Sequence, residues 1–191
     1  SAADYAEVKN IVFTDVNIKH NLGAGDSIGA LSGDANGYVK IDNIAVLGGN
    51  IEVTAGNNGD LIGVGGVTGQ VRTNDSAVQM TNLYNAADIT VASDVRTSPV
   101  RCGGILGRIH QDAVIGSLSS CLNIGNVVYK GSSGYGINGY SSNANAASNT
   151  TNIVNCYYLA GSGTGYLSEG EISEDQLKSE TIKNALGADY W

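Results

Sequence analysis

The chain is expected to be all-β, a parallel β-helix or β-solenoid of about four to five irregular coils closed by a short C-terminal α-helix. Three observations lead there: 27 glycines in 191 residues beside a single proline, a charged fraction of only 15%, and two short patterns that recur along most of the chain. Glycine is about twice as frequent as usual and proline far below its usual ~5%. That combination excludes collagen and does not suit a Pro-rich linker or a disordered tail. Uncharged Asn, Ser, Thr and Gly replace charges, which fits short strands joined by turns better than long helices.

The first recurring element is a small-residue strand signal, at Ile28 to Gly33 (IGALSG), Val64 to Gly69 (VGGVTG), Cys102 to Gly107 (CGGILG) and, degenerate, Tyr135 to Gly139 (YGING). Its last glycines, Gly33, Gly69, Gly107 and Gly139, are 36, 38 and 32 residues apart. The second element begins Val8-Lys9-Asn10-Ile11 and returns as Ile41 to Ile44, Met80 to Leu83, Leu118 to Cys121 and Ile153 to Cys156. Its third members, Asn10, Asn43, Asn82, Ser120 and Asn155, step by 33, 39, 38 and 35 residues. Asn17-Ile18, Asn50-Ile51, Asp88-Ile89 and Asn126-Val127 follow in the same phase.

A unit of this length with several β-prone pieces and no helical periodicity is what one solenoid coil requires. Stacking coils would place Ile11, Ile44, Leu83, Cys121 and Cys156 in one inward column and Val8, Ile41, Met80, Leu118 and Ile153 in another. Asn10, Asn43, Asn82 and Asn155 would then sit at a different wall or a corner. There the amide can bond from coil to coil, and Asn tolerates left-handed backbone. Glycines such as Gly33, Gly69 and Gly107 would close corners where a side chain clashes, and proline would remove a ladder donor. Residues 54–60, 92–101 and 132–152 read as insertions between these elements, the places where solenoids carry function. Winding is expected to be right-handed.

The pattern changes near residue 167, dividing a repeat domain (1–166) from an acidic helical cap (167–191). Six acids against two bases after Ser168 place half of the net charge of −8 there. Ser173 with Gln176 forms a capping box, Ile172 and Leu177 take staple positions, and Glu174 and Asp175 fall in the first turn. Gly187 ends a helix of Glu174 to Leu186, whose Leu177, Ile182 and Leu186 would cover the open edge of the last coil with Tyr190 and Trp191.

The glycine signal at Gly65, Gly66, Gly69, Gly103, Gly104 and Gly107, followed by Asn82, Asn155 and Cys156, resembles the GLUG-motif repeats. Those occur in bacterial surface and secreted proteins, including regions attached to IgA1-specific metallopeptidases and adhesin-like proteins. The resemblance covers residues 8–191 and implies an extracellular or cell-surface location within a larger chain. It is specific for architecture, not for activity. The zinc peptidase of such relatives needs His-Glu-x-x-His, whereas this chain holds only His20 and His110, without that spacing.

Function classes narrow accordingly. The charge of −8 opposes a nucleic-acid partner, and no apolar run reaches the ~18 residues of a spanning helix. Because the chain starts at Ser1 without Met or a signal-like apolar segment, it reads as a mature or engineered fragment. Acids that could serve a glycan-cleaving enzyme, Asp26, Asp34, Asp42, Asp60, Asp75 and Asp112, do not recur in one register with a basic partner. Gly33-Asp34 and Gly59-Asp60 are isolated, so no cofactor is expected, structural calcium being the one alternative. Cys121 and Cys156 share a register and read as buried thiols rather than a disulfide, because stacked Cβ vectors run parallel. The expected role is a structural or adhesive module with a surface protein or glycan as partner. The alternative is a carbohydrate-binding module in the Tyr-rich stretch 129–166, with Tyr135, Tyr140 and Tyr158 as sugar-stacking candidates, set against the reading favoured here, that these rings fill the final coils and seal the cap.

Overall fold

In the computed structural model, the residues described are 4–22, 26–55, 62–72, 77–94, 100–110, 112–130, 132–139, 146–167 and 169–187. They are mostly β, in four sheets. The first sheet contains β1 (Ala6–Phe13), β4 (Val39–Val46), β8 (Val78–Asn85), β12 (Ser117–Asn123), β15 (Ile153–Leu159) and β16 (Gly170–Ile172), in that order. The second contains β2 (Val16–Leu22), β5 (Gly49–Ala55), β9 (Asp88–Asp94), β13 (Val127–Tyr129) and β14 (Ser132–Ser133). A third pairs β6 (Gly63–Gly65) with β10 (Arg101–Gly103), and a fourth joins β3 (Ser32–Ala35), β7 (Thr68–Val71) and β11 (Leu106–Ile109). All pairings are parallel except β13 with β14. The chain visits the four sheets in turn twice over, as β4 to β7 and β8 to β11.

Pairing follows the sequence period. Ile11 lies opposite Ile44, Ile44 opposite Leu83, Leu83 opposite Cys121 and Cys121 opposite Cys156. The companion column from Val8 to Ile153 is equally in register. Both columns are buried from the second copy onward. In the first copy Ile11, Phe13 and Ile18 are only partly buried, because β1 and β2 end their sheets. Asn17 faces Asn50, Asn50 faces Asp88, and the Asn126 backbone amide donates to the Asp88 carboxylate at 2.8 Å.

Asn10, Asn43, Asn82, Ser120 and Asn155 all adopt left-handed backbone, with φ of 52° to 60°. Each therefore bends its strand in the middle rather than at an end. The expected amide column forms only once, where Asn43 Nδ2 donates to Asn10 Oδ1 at 2.8 Å. Asn82 instead donates to Asp42 Oδ1 at 2.8 Å. The carboxylate one residue earlier is the stronger, charged acceptor.

Two cores result. The first and fourth sheets enclose Ile44, Val46, Met80 and Leu83 against Val67, Val71, Leu106 and Ile109. The second and third enclose Ile51, Val53, Ile89 and Val91 against Ile62, Val64 and Cys102. Between the cores, strands of the third and fourth sheets meet backbone to backbone. A Cβ on Gly69 would lie 2.6 Å from the Gly33 carbonyl oxygen and 2.6 Å from the Ile28 amide nitrogen. Cβ atoms on Gly33 and Gly107 would likewise overlap neighbouring backbone. None of the three has positive φ. The expected clash is present, but these glycines lie within β3, β7 and β11 rather than at corners, where they allow two strand layers to touch without side chains between them.

The C-terminal helix is also corrected. It is two helices, α2 (Glu174–Leu177) and α3 (Glu180–Leu186). The Ser173 capping box is present, with Ser173 Oγ accepting from Gln176 N at 3.2 Å and Gln176 Oε1 accepting from Ser173 N at 2.9 Å. A second cap breaks the helix: Ser179 Oγ accepts from Ile182 N at 3.3 Å. The open edge of β15 is filled by β16, so strand pairing continues beyond residue 166. Ile182 and Leu186 of α3 pack with Leu122 and Ile172 on the outward side of the first sheet instead of across its end. Tyr190 and Trp191 lie outside the described residues.

The insertions are shorter than expected. Residues 54–55, 92–94 and 101 are strand. Within 132–152, Tyr135 bridges Gly103, Asn138 bridges Leu106, and a short helix, α1 (Ala146–Asn152), follows. The α1 residue Asn149 accepts from Ile115 N at 3.0 Å.

Candidate functional surface

The outward face of the first sheet changes character along its strands, and the left-handed residue is the cause. Strict alternation from Ile41 would turn Ile44 outward and Ala45 inward. The bend at Asn43 resets the phase, so Ile44 stays in the core at 1% exposure and Ala45 points out. Before the bend the outward rows are polar, Glu7, Lys40, Gln79 and Ser117, then Lys9, Asp42, Thr81 and Ser119, except that the second row ends at the exposed Val154. After it they are apolar: Val12, Ala45, Tyr84, Leu122 and Tyr157 stand in register.

The polar half is internally bonded. Ser119 Oγ donates to Thr81 Oγ1 at 3.0 Å, and Gln79 Nε2 donates to the Tyr5 hydroxyl at 3.2 Å. Lys40 Nζ lies 4.9 Å from the centre of the Tyr5 ring, which meets Tyr38 edge-on. The apolar half is covered over β12 and β15 by α3. On β8 Tyr84 packs against that covered cluster, while over β1 and β4 the row is exposed, with Val12 at 61% and neighbouring Leu47 at 53% exposure. A hollow of about 400 Å³ lies across β4, β8 and β12, lined by Ala45, Tyr84, Leu122 and Leu177 of α2 together with the polar Asn43 and Asn82.

The tyrosine candidates separate. Tyr158 is buried at 6% exposure, its ring lying where a Cβ on Gly136 would sit, so it is core and offers no sugar face. Tyr140 lies outside the described residues. Tyr135 is partly exposed and pairs with Tyr166, ring centres 5.0 Å apart. Glu169 ties this pair down: its carboxylate accepts from Tyr166 N at 2.7 Å and Asn138 N at 2.9 Å. Desolvation pushes the Glu169 carboxyl up to about 7 in spite of those bonds.

The sequence reading missed a second asparagine ladder, at the corner between the first and second sheets. Asn85 Nδ2 donates to Ala87 O at 2.9 Å and to Asn123 Oδ1 at 2.8 Å. Asn123 Nδ2 donates to Gly125 O at 2.8 Å, and both side chains are fully buried. Gly66 and Gly104 rest on these amides, where a Cβ would overlap them. Tyr158 holds the next register position, opposite Asn123, which explains its burial. The available signal was Asn85-Ala-Ala-Asp88 repeated as Asn123-Ile-Gly-Asn126 after 38 residues.

Cys121 and Cys156 are free, buried and in register. Burial, reinforced by the neighbouring Cys121 thiol, pushes Cys156 well above the ordinary thiol range, and burial pushes Cys102 up to about 12. His20 Nε2 lies 3.9 Å from Asp26 and His110 Nδ1 lies 3.8 Å from Asp112. Among the described residues, no helix is long and apolar enough to cross a membrane. No family model matches the chain, and comparison with curated proteins and with solved structures finds no similar protein.

Proposed function

We propose that the chain is a non-catalytic β-solenoid module built of GLUG-like repeats, wound right-handed, in a secreted or surface-attached bacterial protein, where it acts as a stalk or adhesive surface. The observation that carries this reading is the column from Ile11 to Cys156, in register through five copies of one sequence unit. Such stacking passes load from copy to copy through backbone ladders and leaves one broad outward sheet face for contact. Buried free thiols, and carboxylates that do not share one register, support a structural role. The module needs no cofactor, so chelation of calcium leaves its melting temperature unchanged.

Antibody against the module should label intact cells that express the full-length protein, and surface proteolysis should remove the signal. Labelling only after permeabilisation would refute the surface assignment. The Tyr135–Tyr166 ring pair favours a second reading, glycan binding. Binding on a glycan array that is lost in Tyr135→Ala and Tyr166→Ala would select it over the structural reading.

A further inference from the structure

We infer that Asn36 is a site of spontaneous modification, its side-chain amide being lost as ammonia to leave aspartate and isoaspartate at the corner between β3 and β4. Asn followed by Gly is the sequence in which this happens most readily, because glycine puts no Cβ beside the attacking amide nitrogen. Asn-Gly occurs three times, at Asn36, Asn58 and Asn138, and Asn58 lies outside the described residues. The structure separates the other two. Asn36 is exposed, Gly37 has φ of 76° with nothing within 4 Å of a built Cβ, and its N–H donates to Asn36 Oδ1 at 3.0 Å. The nitrogen and the carbonyl it must attack are thus already in contact, and the exposed side chain can rotate to bring Cγ over the nitrogen. Asn138 is fully buried, and the Gly139 N–H is committed to Leu106 O at 2.9 Å. Neither that nitrogen nor the Asn138 side chain can turn without local opening of the strands.

The step balances with water alone. The Gly37 amide gives its proton to hydroxide, and its nitrogen forms a bond to Asn36 Cγ. The Cγ–Nδ2 bond then breaks, and Nδ2 leaves as ammonia after taking a proton from water, which restores the hydroxide. A cyclic succinimide remains. Water opens it at either carbonyl, so that the chain runs on through the α-carbonyl in aspartate or through the side chain in isoaspartate. Both products add a negative charge, and isoaspartate also adds a methylene to the main chain. Arg72 N donates to Ala35 O at 3.1 Å and Ala6 N to Tyr38 O at 3.0 Å, so the residues on either side are held and the change stays within the corner.

The test keeps the whole chain in mildly alkaline buffer, folded in one sample and unfolded by guanidinium chloride in another, and follows both by digestion and mass spectrometry. In the folded protein the Asn36 peptide should convert at least about tenfold faster than the Asn138 peptide, and in guanidinium chloride the two rates should come together. Isoaspartate should appear beside aspartate at position 36. Asn36→Gln, whose longer side chain closes the ring poorly, should abolish the conversion there with unchanged melting. Equal rates at Asn36 and Asn138 in the folded protein would overturn the inference, as would aspartate without isoaspartate. An Asn36 peptide that stays intact in the folded protein while it converts in guanidinium chloride would overturn it equally.

Discussion

Replacing Gly69 by Ala tests whether the repeat glycines serve close approach or turning. The added Cβ would stand 2.6 Å from the Gly33 carbonyl oxygen and 2.6 Å from the Ile28 amide nitrogen. Both neighbours are backbone held by pairing, so no rotamer change relieves the overlap. Overpacking of this kind costs typically ~1–3 kcal/mol, and rigid neighbours on two sides place this site at about 3 kcal/mol or above. Gly37→Ala is the internal control. Gly37 has φ of 76° with nothing within 4 Å of a built Cβ, so its cost is the left-handed penalty alone, about 1 kcal/mol. Urea unfolding followed by circular dichroism should separate the two by about 1 M in midpoint for a slope of ~2 kcal/mol/M. Equal midpoints, or a larger loss for Gly37→Ala, would refute the backbone-on-backbone arrangement of the third and fourth sheets.

The Asn85 and Asn123 amides act as one network, so either Ala substitution should cost about 1–3 kcal/mol and the double mutant less than the sum, read from a double-mutant cycle in urea. Glu169 holds a proton in the native state between its ordinary pKa of 4.5 and about 7. Its contribution is therefore present below pH 4.5 and lost as pH rises through 7, by at most about 3 kcal/mol, and Glu169→Gln should remove that part of the pH dependence. Identical pH profiles for the two proteins would contradict this. The three buried thiols should resist an aromatic disulfide reagent at pH 8 in the native protein and all react after unfolding.

The apolar columns were legible because a period near 36 residues and side-chain alternation act together, and Asn at the third position was legible because few residues accept left-handed backbone. The outward apolar row was legible only by implication: placing both Ile41 and Ile44 inward breaks strict alternation and turns Ala45 and Tyr84 outward, and the φ of 52° at Asn43 supplies the cause. The recurrence of glycine marks positions where a side chain would clash but not whether they fall at a corner or within a strand, and Gly69 and Gly107 lie within strands. The helix was predicted whole because Ser173 carries a full capping box, yet Ser179 caps with its hydroxyl alone and is enough to start a new helix. Tyr158 falls to the core, the favoured of the two readings of the Tyr-rich stretch, and its register with the buried Asn123 is what decides between them.

The central claim is that successive copies stack one strand spacing apart, and nitroxide pairs on the outward row of Lys9, Asp42, Thr81, Ser119 and Val154 test it most directly. With one label at Lys9, the separation should grow by about 4.8 Å per copy, to about 10 Å at Thr81, 14 Å at Ser119 and 19 Å at Val154, plus a constant label offset. Separations that fail to rise in equal steps, or that place Val154 nearer to Lys9 than Thr81, would contradict the stacked-repeat architecture.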